Sequence, residues 1–421
     1  MLDGEQNEGV VPQEAYLERD SEEIDPNNSF LLDREGENPL QEEREEEENK
    51  NEEENEEWEE FDLEWRPNWV NEYQLRPGPT QLPPETETPL QYFALFFNDE
   101  LLEVITNQTN LYADQFFLKY PEKRNSQFYR DWRPCTKAQV QGYLGLIIHM
   151  GIVKLPRLEY HWRKDSLYNC SLCSNIMTRL EFLRIHSFLH LANNERANHD
   201  DMLYKIRPII NMLSGSFQRH YILNKEVTID EKMIKYSGRI SFLQYVRNKP
   251  VKLGFKVFVL SDAISGYVYN WRFYTGKENN ARVSNLAHNI VLSLVQGLEN
   301  RNHHLYFDSY YSSIPIVKEL GIKGFGCTGM INQRKRLIPE AIKNPTQELQ
   351  DGETISRRLG NTVLLLHKDR KEIRVITSIH GRQLANNGRP VALENYNFYM
   401  RGVDKGNQQA SYYHPNHKSM K

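Results

Sequence analysis

From Glu226 onward the sequence changes from helical to strand-like texture, and the order of elements that follows admits few folds. Val227-Thr-Ile-Asp230 reads as a short strand. Gly254–Ser261 and Tyr267–Tyr274 are rich in β-branched and aromatic residues and are joined through Ser265-Gly266, a hairpin turn signal. Asn285–Leu298 carries apolar residues at helical spacing. His304–Asp308 is a fourth strand ending on an acid, Ile314–Leu320 a helix, and Gly324–Ile331 an extended run. Thr354–Ile379 holds two strand-like runs around Lys368-Asp-Arg-Lys371, and Ala392–Ser411 returns to helix. Such an order describes an α/β sheet with helices packed on it.

The succession of three strands, helix, strand, helix, strand matches a ribonuclease-H-like core at 222–332 and 386–413, with a β-rich insertion at 333–385. Residues 89–221 read as an all-helical domain. Thr136-Lys-Ala-Gln139 and Thr178-Arg-Leu-Glu181 fit capping boxes, in which a hydroxyl and an N3 side chain satisfy each other's free backbone donors. Pro77, Pro79, Pro83 and Pro84 mark 67–88 as a linker, and 414–421 is a short tail.

Residues 1–66 are expected to be a disordered acidic tail. Thirteen of the twenty residues from Gln41 to Glu60 are glutamate, and such a run buries too little apolar surface to offset chain entropy. Trp58, Phe61 and Trp65 punctuate its end, either as a docking motif for a protein partner or as part of an inert tail. The net charge of −6 conceals a division: residues 1–70 hold 27 acids against 5 bases, and the rest hold 31 against 47. A basic body behind an acidic leader suits a polyanion-binding protein. The four cysteines are too scattered for a disulfide framework. No charged-then-apolar leader opens the chain, and the longest apolar stretch, Tyr143–Val153, is too short to span a bilayer. The expectation is a soluble intracellular protein.

Asp230 ends the first core strand, Asp308 ends the fourth, and Asp404 lies on the late helix. In this topology the first and fourth strands are neighbours, so two acids distant in sequence meet at one edge. Like charges in one cleft raise each other's pKa unless cations neutralise them. Two Mg²⁺ ions would do so, since hard divalent ions prefer carboxylate oxygen and support phosphodiester cleavage. Strand alternation puts Glu231 on the opposite face, as a structural residue. Cys170-Ser-Leu-Cys173 lacks a second ligand pair and reads as a buried pair, and the histidines show no ligand spacing.

The local phrases go further. Val227-Thr-Ile-Asp-Glu-Lys-Met233, Gly238-Arg239, Gln244-Tyr245, Lys249-Pro250, Gly254-Phe-Lys256, Tyr274-Thr-Gly-Lys277, Phe307-Asp-Ser-Tyr-Tyr-Ser-Ser313, Thr328-Gly329, Asn395–Met400 and Gly402-Val-Asp404 resemble the piggyBac transposase family. Gly145–Lys154 and Phe182–His190 resemble its helical part, and the similarity runs from about Pro89 to about Tyr413. The resemblance implies catalytic and metal-binding roles for Asp230, Asp308 and Asp404. It also implies a helical domain for dimerisation and DNA binding, a nuclear location, and action on transposon ends at TTAA targets. Two departures stand out. Asn407 occupies a position where the family commonly has a further Asp, one helical turn after Asp404, which predicts weaker Mg²⁺ binding. Family members also continue beyond the point where this sequence stops, often into a zinc module, so a C-terminally shortened derivative is expected.

Arg239, Arg247, Lys249, Lys252 and Lys256 around the hairpin after Asp230, with Arg334, Lys335 and Arg336 at the start of the insertion, are the expected DNA contacts. Phe242 and Tyr245 among them are placed to stack on unpaired bases. Three functions remain open: a domesticated DNA-binding protein with impaired catalysis, an active transposase or nuclease, and a chromatin-associated protein that works through its acidic tail.

Overall fold

The computed structural model describes residues 57–413 except 69–71, 83, 85–87, 166–167, 169–170, 237, 248 and 277–284. The expected disorder of residues 1–56 and the tail 414–421 lie outside the described residues. The chain forms two compact units. One contains Thr88–Leu213 and the residues from Ala410, the other Ser214–Gln409 with the described residues before Glu87.

The first unit is helical: α1 (Pro89–Ala94), α2 (Asp99–Lys119), α3 (Lys137–Ile152), α4 (Ser171–Ile176) and α5 (Arg179–Phe188), with α6 (Arg207–Arg219) running across the unit boundary. Both expected N-termini are present, in different ways. At α3 the Gln139 N–H donates to the Thr136 hydroxyl (3.3 Å) and the Thr136 N–H donates to Gln139 Oε1 (2.8 Å), a reciprocal box. At α5 the Glu181 N–H donates to Thr178 Oγ1 (3.2 Å), but the Glu181 carboxylate accepts from Gln139 Nε2 at 2.5 Å instead of closing its own box. That contact joins the first turns of α3 and α5. The core beneath is aromatic: Phe188 meets Phe116, Phe117, Tyr129 and Trp132 at ring separations of 4.7–5.5 Å.

The second unit is built on one nine-stranded mixed sheet. A two-residue pair, β1 (Gly78–Pro79) with β2 (Tyr221–Ile222), precedes it. The sheet comprises β3 (Glu226–Lys235), β4 (Gln244–Tyr245), β5 (Leu253–Asp262), β6 (Val268–Phe273), β7 (His304–Phe307), β8 (Gly326–Met330), β9 (Thr354–Leu359), β10 (Thr362–Lys368) and β11 (Glu372–Thr377). The helices are α7 (Leu286–Val295), α8 (Ile314–Ile322), α9 (Glu340–Lys343), α10 (Val391–Tyr399) and α11 (Gly402–Tyr412). β3 is antiparallel to β5 and parallel to β7, β7 is parallel to β8, and β6 pairs with β5. A helical region followed by a mixed sheet of this kind is consistent with a ribonuclease-H-like fold.

Two expectations change. The segment at 333–385, expected as an insertion with two strand-like runs, supplies three strands, and these continue the same sheet through β8–β11 pairing. Residues 57–66, expected as part of a disordered tail, lie along the far edge of the sheet. Glu59 pairs by two backbone hydrogen bonds of 2.9 Å with Arg358 of edge strand β9, and the Trp58 indole donates to Leu337 O at 3.0 Å. Phe61 is buried with Val363, Leu365, Val375, Ala392 and Leu393. β10 therefore has Leu364 and Leu366 in the main core and Val363 and Leu365 under Phe61. A strand apolar on both faces needs cover on both, and the aromatic strap supplies part of it.

Candidate active site

β3 runs in the middle of the sheet, and its parallel register sets Ile229 against Phe307. Asp230 and Asp308 therefore take the next position on neighbouring strands. β7 ends there, and the chain turns around Asp308: the Tyr310 N–H donates to its Oδ1 at 3.0 Å and the Ser312 hydroxyl to its main-chain O at 2.9 Å. Ser313 then caps α8, accepting from the Ile316 N–H. Gly329 of β8 is required beside this turn, because a Cβ there would lie 2.4 Å from Ser312 Oγ. The Phe307–Ser313 phrase is thus a strand end, an acid-anchored turn and a helix cap in succession.

Carboxylate oxygens of Asp230, Glu231 and Asp308 all lie within 4.8 Å of one another. Glu231 corrects the alternation rule. β7 stops at Phe307, so beyond Ile229 that side of β3 has no paired neighbour, and the longer Glu side chain turns around the open edge into the cluster. Tyr311, itself buried, donates its hydroxyl to Glu231 Oε2 at 3.4 Å, and the Glu231 N–H donates to Asp230 Oδ1 at 2.7 Å.

Burial raises the Asp230 carboxyl well above its usual range, the neighbouring Glu231 charge raises it further, and Lys249 offsets only part of this. Burial and the Glu231 charge also push Asp308 up, against the N–H donors of Tyr310 and Tyr311. Burial acts the same way on Glu231, but the Lys249 ammonium at 3.0 Å outweighs it and holds Glu231 below the usual value. Lys249 lies 3.9 Å from Asp230 as well. The 246–252 loop brings it there, closed by the Val246 N–H donating to Lys252 O at 2.8 Å.

Asp404 stands apart from this trio. It sits exposed in the first turn of α11 and shares no cluster with Asp230. Its charge nevertheless reaches Lys249, whose ammonium is stabilised by Asp230, Glu231 and Asp404 against the cost of burial. Gly402 sets the approach of the helix: a Cβ there would lie 2.4 Å from Thr228 Cγ2, two residues before Asp230 on the same strand face. Val403 packs with Val257 and Val259, the latter paired with Asp230 across the sheet. Asn407 is half-buried one turn further on.

A family model described as Transposase IS4 matches residues 88–421. The chain belongs to that transposase family. It is homologous to human piggyBac transposable element-derived protein 2, with 27% identity over 296 residues, 69% of this chain and 47% of that protein. Human piggyBac transposable element-derived protein 3 is 25% identical over 347 residues, 77% of this chain and 56% of its own length, so the chain spans about half of these relatives. A solved structure, the cryo-EM piggyBac transposase synaptic complex with hairpin DNA, superposes with a TM-score of 0.70 at 24% identity, covering 80% of this chain and 71% of the other. That likeness is one of fold.

Within this transposase fold the expected DNA-binding cations separate into groups. Arg239, Arg247 and Lys252 are exposed, as are Arg334 and Arg336, while Lys335 is half-buried. Lys249 is drawn into the acid cluster. Lys256 is buried, its ammonium 5.3 Å over the Phe258 ring and 5.1 Å over Tyr310, and its charge helps to hold Glu231 low. Tyr245 is 61% exposed, but Phe242 is buried against Phe255 at a ring separation of 5.4 Å and has no face for a base.

Sequence reasoning missed a second cluster, in the helical unit. Ligand atoms of His149, His161 and Cys173 also lie within 4.8 Å of one another. The Cys170 half of the expected cysteine pair lies outside the described residues.

Proposed function

We propose that this chain is a transposase-derived DNA-binding protein that keeps a Mg²⁺ centre at Asp230 and Asp308, with strand cleavage weakened relative to its ancestor. The observation that carries this reading is the convergence of Asp230, Glu231 and Asp308 oxygens within 4.8 Å. Three all-oxygen donors with two carboxyls pushed up by burial and mutual repulsion are an unstable arrangement alone, and a hard divalent cation is the counter-charge that suits them. Asp230 and Asp308 would hold it, with Glu231 beside them, while Asp404, the third acid by family resemblance, lies outside the trio and bears on it through Lys249.

Bound there, Mg²⁺ would supply charge neutralisation at a phosphodiester and a more acidic attacking water or 3′-hydroxyl. The remaining work falls to the protein. Tyr311 holds the Glu231 carboxylate in place, and Lys249 balances the charge of Asp230 and Glu231. Arg239, Arg247 and Lys252 neutralise backbone phosphates beside the centre, and Tyr245 offers a ring to an unpaired base. Arg334, Lys335 and Arg336 extend the basic surface. Asn407 keeps an oxygen but lacks the charge of a fourth acid, which favours binding over turnover. Residues 89–221 are assigned to dimerisation and DNA binding, and the DNA is of the transposon-end and TTAA type, met in the nucleus.

The test combines two measurements on the full chain. DNA affinity should fall steeply with salt and survive Asp230→Ala, while Mg²⁺-dependent nicking should be slow and abolished by that substitution. Absence of DNA binding at low salt would defeat the proposal. Rapid nicking lost in Asp230→Ala would replace it with the reading of an active nuclease, which the tight acid cluster also favours.

A further inference from the structure

The geometry points to a zinc-class metal site in the helical unit, formed by His149, His161 and Cys173. The three residues follow one another at intervals of twelve in the sequence and sit on three separate elements. His149 lies in the last turn of α3, His161 in the 3-10 helix Leu158–Trp162, and Cys173 in α4. Trp162 ties the second element to the third, its indole donating to Met177 O at 2.9 Å, and the Met177 N–H donates to Cys173 O at 3.2 Å. α4 in turn lies close on α3: a Cβ on Gly142 would meet Ile176 at 3.1 Å. His161 and Cys173 are fully buried, whereas His149 is half-buried at the mouth of the group, its ring 6.4 Å from that of His161.

Two imidazole nitrogens and one sulfur are a borderline-to-soft donor set, the reverse of the all-oxygen set at Asp230 and Asp308. It suits Zn²⁺ or Co²⁺ and disfavours Mg²⁺. A tetrahedral zinc ion with bonds of about 2.0–2.3 Å spaces its ligand atoms roughly 3.3–3.8 Å apart. The three ligand atoms already stand within 4.8 Å, so a shift of roughly 1 Å, open to the half-buried His149 ring, closes the site. The fourth position is left to water. On binding, the Cys173 thiol gives its proton to solvent and coordinates as thiolate, with both imidazoles neutral. A five-residue 3-10 helix and a six-residue α4 are too short to persist by themselves, so a shared ion would staple both to the end of α3.

The full chain, loaded with zinc and dialysed, is to be assayed for bound metal and then exchanged into Co²⁺. The expected result is about one retained equivalent of zinc at this site, and with cobalt a thiolate charge-transfer band together with tetrahedral d–d bands. Cys173→Ser should abolish the charge-transfer band, and His149→Gln, at a half-buried position, should weaken cobalt binding at least tenfold with unchanged far-UV circular dichroism. Asp230→Asn combined with Asp308→Asn should leave the band intact, which separates this site from the acid cluster. A folded wild-type chain without a cobalt–thiolate band, or a band that survives Cys173→Ser, would overturn the inference.

Discussion

Two regions of the long sheet, its β9 edge and the central strand β3, are built on opposite principles. At the far edge, around β9 and β10, the strap at 57–66 adds a buried Phe61, a backbone pair at Glu59 and an ion pair from Arg358 to Glu59, each of which stabilises the native state. At the open edge of β3, three carboxylates share one cluster and two of them are raised by burial and repulsion, which costs stability in the absence of a cation. The edge is optimised for persistence, and the centre of the sheet holds charge ready for a ligand. A region whose contacts work against folding is a better guide to function than one whose contacts support it.

The largest effect that would test this contrast belongs to the far edge. Phe61→Ala should destabilise the sheet unit by about 3–5 kcal/mol, read from urea unfolding, through lost burial and the cavity left behind. Leu63→Ala, at a position 59% exposed, should change stability by less than about 0.5 kcal/mol. Equal effects would mean that the strap does not hold the edge.

At the open edge the sign should reverse. Asp230→Asn should stabilise the metal-free protein at neutral pH by roughly 1–3 kcal/mol. The pH dependence follows from the same shifts. Asp230 and Asp308 are raised on folding, so between an unfolded value of about 4 and their native values the folded state holds more protons than the unfolded one. The contribution of these two groups to stability then falls as pH rises through that window, and Asp230→Asn should remove its share of the fall. Glu231 is lowered, so its contribution is present above its unfolded value and disappears on acidification below it. Thermal unfolding of wild type and Asp230→Asn in metal-free buffer from acid to neutral pH isolates the Asp230 contribution from buried His304 and His380, whose lowered values act in the opposite sense, and a variant that gains no stability relative to wild type as pH rises would contradict the assignment.

Smaller changes sharpen the picture. Asn407→Asp should tighten Mg²⁺ binding by about 1 kcal/mol or less, given its half-buried place one turn from Asp404. Titration calorimetry checks this, and equal affinities would remove Asn407 from the centre. Arg358→Ala, which loses an exposed ion pair and a guanidinium 5.0 Å over Trp65, should cost below about 1.5 kcal/mol.

The strand order and the meeting of Asp230 with Asp308 were legible because parallel neighbours in this topology bring strand ends together regardless of separation in sequence. Glu231 was not, since alternation assumes a strand paired along its whole length, and β3 outruns β7. The strap was hidden by its composition: glutamates dominate the count, yet three aromatics among them decide where the segment lies. Lys256 and Phe242 read as surface groups beside a hairpin, but the sheet buries both. His149, His161 and Cys173 have no motif spacing because their proximity is created by packing of two short helical pieces against the end of α3.

The proposed divalent cation among Asp230, Glu231 and Asp308 would displace the Lys249 ammonium. Crystals soaked in Mn²⁺ and measured at the manganese absorption edge test it directly. The expected result is an anomalous peak coordinated by Asp230 and Asp308, with Lys249 withdrawn from Glu231. No peak at that position, with Lys249 still seated on the acids at saturating Mn²⁺, would contradict it.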